Sequence, residues 1–173
     1  MRAAAYASIA FLGLVGCGTP ERETSPPAPA AKTSAGRQLT DTERASMLAA
    51  LGAEQGPVRK VWFAVAPNDP EAAALEGALE GVFKQAGWET ATRTVTGMVL
   101  KPGLSILIAA EEPPSYVTTA QRALEGTSFE WKTGTGYRPY FEERKRADPS
   151  WPGISLAPDQ EYVVVIGPKA PAP

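Results

Sequence analysis

Residues 69–87 constrain the fold of this chain more than any other stretch. Asp69 stands where a helix N-cap belongs, Pro70 fits the first helical turn, and Gly87 is a helix-ending glycine. Between them Leu75, Leu79, Val82, Phe83 and Ala86 recur at helical spacing and form one apolar face. Glu76, Glu80 and Lys84 take the other side, where Gly77 and Gly81 also fall and each costs about 1 kcal/mol against Ala. Such a helix must lie on something apolar, and the flanking segments read as strands.

Residues 58–66 (VRKVWFAVA) form the strand before it, mostly buried from Val61 onward. Residues 88–95 (WETATRTV) alternate and are rich in Thr, which suits an edge or half-exposed strand. A turn over 96–103 joins it directly to residues 104–110 (LSILIAA), apolar enough for a central strand. Pro113, Pro114 and Ser115 introduce a further helix, with Val117, Ala120 and Leu124 inward and Gly126 at its end. Residues 129–132 make a short strand, and residues 161–166 (EYVVVI) a last buried one, stopped by Gly167-Pro168. Ahead of all this, Thr40 and Glu43 read as a capping box, with Met47, Leu48 and Leu51 as the apolar stripe of a short first helix. The order predicts an α/β (α+β) domain. It is a two-layer sandwich with a βαββαβ-like mixed sheet, helices on one face, an additional terminal strand and a short N-terminal helix. The direct turn between two strands argues against three layers.

The N-terminus is of another character. Arg2 gives a positive start, and residues 3–15 form an apolar run interrupted only by Ser8, too short to span a bilayer as a helix. Leu14-Val15-Gly16-Cys17 follows, and this resembles the lipobox of bacterial lipoproteins at all four positions. The resemblance implies cleavage after Gly16, lipid on the Cys17 sulfur, and a chain held to the membrane through that lipid. Several acyl chains make a durable anchor. Gly18, rather than Asp, follows the lipidated position, which favours the outer membrane, with the domain facing the periplasm. The four expected regions are a signal peptide (1–16), a lipidated cysteine with a Pro/Ala-rich tether (17–37), one compact domain (38–168) and a short tail (169–173). In pattern, about residues 58–168 resemble small envelope modules such as the LytR C-terminal domain, although Pro67-Asn68-Asp69-Pro70 replaces the Asn-Gly turn those domains often carry. That resemblance implies a fold; no functional residue carries over with it.

Composition narrows the chemistry. The 173 residues contain no His and one Cys, which lipidation would consume, so neither Ser-His nor Cys-His catalysis nor a His-metal site is open to the chain. A net charge of −2 argues against nucleic acid as a partner. With 43% hydrophobic and 21% charged residues, the composition is that of a globular protein. Asn68, Asp69 and Glu71 cluster after the first strand, but capping explains Asp69 without a cation. The pairs Glu111-Glu112 and Glu142-Glu143 are neighbours in sequence, not carboxylates set across a cleft. Gly134-Thr135-Gly136 fails as a phosphate loop because Pro139 stands where the last glycine is needed. Neither a cofactor nor a metal is expected.

Residues 133–158 are the stretch of interest. They carry Tyr137, Tyr140, Phe141 and Trp151 among Arg138, Arg144, Lys145 and Arg146, without a clear strand or long helix. These rings either cover the open face of the sheet as a satellite core, or with Arg138 form a partner-binding surface. The expected function is a non-enzymatic, membrane-anchored envelope module that binds an envelope protein or cell-wall glycan. A small-molecule or cation-binding domain is the alternative, and a carboxylate-dependent hydrolase a more distant one.

Overall fold

The structure, a computed structural model, describes residues 36–95 and 99–169. The lipobox, Cys17 and most of the tether therefore lie outside the described residues. No helix among the described residues is long and apolar enough to cross a membrane.

The order of elements is α1 (Asp41–Gly52), β1 (Lys60–Val65), α2 (Pro70–Gln85), β2 (Glu89–Thr94), β3 (Leu104–Ile108), α3 (Ser115–Glu125), β4 (Trp131–Gly134), α4 (Tyr137–Ala147) and β5 (Tyr162–Ile166). Local chemistry starts the helices as expected. Thr40 and Glu43 form a reciprocal capping box on α1, and the Asp69 side chain accepts from the N–H groups of Glu71 and Ala72 at the start of α2.

The strands form one mixed sheet in the order β2-β1-β5-β3-β4. Two βαβ units, β1-α2-β2 and β3-α3-β4, each pair in parallel. The last strand, β5, joins them, parallel to β1 and antiparallel to β3. All five of its residues are buried, as a strand covered on both faces requires. The segment joining β2 to β3 is therefore not a hairpin turn. The two strands are separated by β1 and β5, because β5, made last, takes the place between them.

Side-chain alternation sorts the two faces. Phe63, Val164, Ile106 and their alternate neighbours point to the side of α2, where Phe63 meets Phe83 edge-on at 6.0 Å. Phe83, Trp88, Tyr116 and Tyr162 continue this aromatic chain, and α1 packs against α2 and α3. Ser105, Leu107 and Val165 point the other way and are overlain by α4 and residues 151–154. Beyond the layer of α1 to α3 expected on one face, the fold thus carries a helix on the second. Pro139 obscured it in the sequence, yet as the third residue of α4 it occupies a turn whose N–H groups have no partner within the helix.

At the other end of the domain, Arg37, the last residue of the expected tether, is fixed to the fold. Its guanidinium grips both Glu71 oxygens, at 2.6 Å through Nη2, and the same nitrogen donates to Gly167 O at 2.8 Å.

Candidate functional site: an aromatic groove on the second sheet face

The groove is built from the start of α4. Gly136 takes a left-handed φ of 64°, and a Cβ there would run into the Glu111 carboxylate, which is held in turn by Thr135 Oγ1 at 2.7 Å. The N–H groups of Gly136 and Arg138 donate to Ala110 O and Ala109 O at the end of β3, replacing a side-chain cap. These bonds aim the aromatic face of α4 over the sheet.

Tyr137, Tyr140, Phe141 and Arg144 share that face at helical spacing. Tyr137 is buried, and its hydroxyl accepts from Ile154 N at 2.9 Å, tying residues 151–154 to the helix. Trp151 lies against the bare Cα of Gly153, where no Cβ would fit. Tyr140 meets Trp151 edge-on at 5.7 Å, and the Arg144 guanidinium lies 5.6 Å from the centre of the Trp151 ring. Asp148, which ends α4, accepts from the Ser150 hydroxyl and N–H, bonds that hold its carboxyl below the usual range. This turn brings Trp151 back to the helix.

Between this wall and Val99, Leu100 and Lys101 opposite lies a groove of about 520 Å³, with Ser105, Leu107 and Val165 as its floor. That size is within the range of ligand sites. Three large apolar side chains are conspicuously exposed among the described residues, and two of them, Val99 at 92% and Tyr140 at 49%, stand on its rim. Its charged lining residues are Lys101 and Arg144, with no carboxylate or imidazole among the described ones.

The structure divides the expected binding residues. Tyr137, Tyr140 and Trp151 line the groove. Arg138 and Phe141 do not: they border a smaller recess with Glu142, Ser155 and Leu156. Arg138 instead donates to the carbonyls of Ala157, Pro158 and Gln160, a clamp on the approach to β5. Sequence reasoning missed Lys101, Val99 and the floor, which only the strand order brings under α4. The polar Ser105 inside LSILIAA was the one local sign that this strand has a less apolar face.

A second recess, of about 420 Å³, opens at the end of β1 beside Asn68, Asp69, Glu76 and Thr92. Its carboxylates are engaged, Asp69 in capping α2 and Glu76 in accepting from the Thr92 hydroxyl. Nearby Glu71 is taken by Arg37, whose hydrogen bonds keep its carboxyl below the usual range against the effect of burial. No group of three or more His, Cys, Asp or Glu side chains suited to a metal ion is found among the described residues.

No protein-family model matches this sequence, and comparisons with curated proteins and with solved structures give no match.

Proposed function

We propose that this chain is a lipid-anchored binding module of the bacterial cell envelope, held to the outer membrane through Cys17 and facing the periplasm. Its folded domain recognises an envelope partner through the groove of Tyr140, Trp151, Arg144 and Lys101. The lipobox Leu14-Val15-Gly16-Cys17 supports the anchor, and the proline-rich stretch after it supports a domain standing clear of the membrane. One observation carries the binding reading. The exposed apolar rim, Val99 and Tyr140, coincides with two cations that have no carboxylate beside them in the lining. A groove lined by cations and rings, with no carboxylate or imidazole among its described lining residues, is suited to holding a partner.

The test is cross-linking of the mature lipoprotein in intact envelopes, comparing the native chain with Tyr140→Ala. Tyr140 is half exposed, so its truncation is expected to leave the thermal melt unchanged while the specific cross-linked product disappears. An undiminished product would remove the groove from the function.

A further inference from the structure

We infer that the groove takes an anionic saccharide, with a sugar ring against Tyr140 and its acidic groups on Arg144 and Lys101; this rests on the groove being the binding surface. The charges favour an anion. Lys101 and Arg144 are both exposed, and neither is ion-paired with a carboxylate among the described residues. Asp148, whose carboxyl feels the Arg144 charge, is engaged by Ser150. Stacking of the Arg144 guanidinium on Trp151 holds it in place while leaving its N–H edges to meet a planar anion.

The rings favour a sugar. Trp151 is enclosed by Gly153 and Arg144, so it serves as a wall, whereas Tyr140 offers the open surface. An aromatic face complements the C–H face of a pyranose, and the Ser105 hydroxyl on the floor suits its hydroxyl groups. A peptide is less well served. The floor is made of side chains on a sheet face, not of a strand edge, and the Ile154 N–H is already given to Tyr137. An amphipathic helix would need a more apolar trough than one bearing Ser105, Lys101 and Arg144.

The experiment measures binding to the full-length mature chain in detergent, by tryptophan fluorescence and calorimetry, with three probes. These are tetragalacturonate, its neutral methyl ester and hexaglutamate. Tetragalacturonate is expected to bind, with the ester and the peptide each weaker by about tenfold or more. Arg144→Gln and Lys101→Gln are each expected to weaken it by about tenfold, and Tyr140→Ala to abolish it, with thermal melts unchanged. Equal binding of the ester, equal or tighter binding of hexaglutamate, or binding of no probe would overturn the saccharide. In each of those cases loss of the cross-linked product in Tyr140→Ala would still stand for the groove as a binding surface, and its persistence would remove both.

Discussion

Tyr162 carries a hydroxyl into the middle of the core. The residue is fully buried between Tyr116 and Trp62, its oxygen has no hydrogen-bond partner among the described residues, and burial pushes its pKa well above the ordinary value. A buried hydroxyl without a partner has given up water for nothing in return. Tyr162→Phe keeps the ring and removes that penalty, so it is expected to stabilise the fold by about 1 kcal/mol. Tyr137 is the counter-case. Its hydroxyl accepts the Ile154 N–H, and Tyr137→Phe leaves that buried donor without its bond, at a cost of about 1 to 2 kcal/mol. Urea titration of both variants checks the pair: the midpoint should rise for one and fall for the other at an unchanged slope. Midpoints that move in the same direction would refute the distinction.

At the scale of the element, α2 has two places where glycine has no structural task. Gly77 and Gly81 are exposed, and a Cβ on either meets nothing within 4 Å. Gly77→Ala and Gly81→Ala are therefore each expected to stabilise the protein by about 1 kcal/mol, as read from denaturation midpoints. A loss of stability in either would mean that the glycine has a packing role. The helix itself was legible because its cap, proline, apolar face and closing glycine all agree. Partial agreement made α1 and α3 legible: a capping box in the first, and in the second an apolar face closed by Gly126, without a side-chain cap. What α4 lacks is that agreement. Its N-cap is a left-handed glycine with no side-chain cap, a proline stands in its first turn, and its buried contacts come from aromatics that also suit a loop. The spacing of Tyr137, Tyr140, Phe141 and Arg144 was the helical signal present, and the bonds to Ala109 and Ala110 that start the helix are tertiary. For the same reason the sequence identified one wall of the groove but not the other: Lys101 faces α4 only because β5 enters the sheet between β1 and β3.

At the scale of the whole molecule, carboxylates fasten the elements that the sheet does not. Glu43 ties the start of α1 to Ser128, between α3 and β4, and to Thr40. Hydrogen bonds from Ser128 and then Thr40 lower its carboxyl to about 2. Glu54, held first by the Gly56 N–H and then by Thr119, lies below its ordinary value and links the end of α1 to α3. Glu71 is lowered chiefly by Arg37 and joins the chain before α1 to the head of α2, while Arg37 also reaches the end of β5. Because these folded values lie below the unfolded one, the unfolded chain binds more protons in acid, and stability there must rise with pH. The contribution is complete above the ordinary carboxyl value of 4.5 and is lost as pH falls toward about 2. The described residues contain neither His nor Cys, so no side chain among them ordinarily titrates between about pH 6 and 8. The unfolding free energy from urea titrations is therefore expected to stay level from about pH 8 to 6 and to fall steadily below about pH 5. Glu43→Gln should flatten the part of that fall that reaches toward about pH 2, where its carboxyl is held, and Glu71→Gln should also make the fall shallower, since its carboxyl is lowered too. A slope between pH 6 and 8, or an acid limb untouched by both substitutions, would show that other groups hold the domain together.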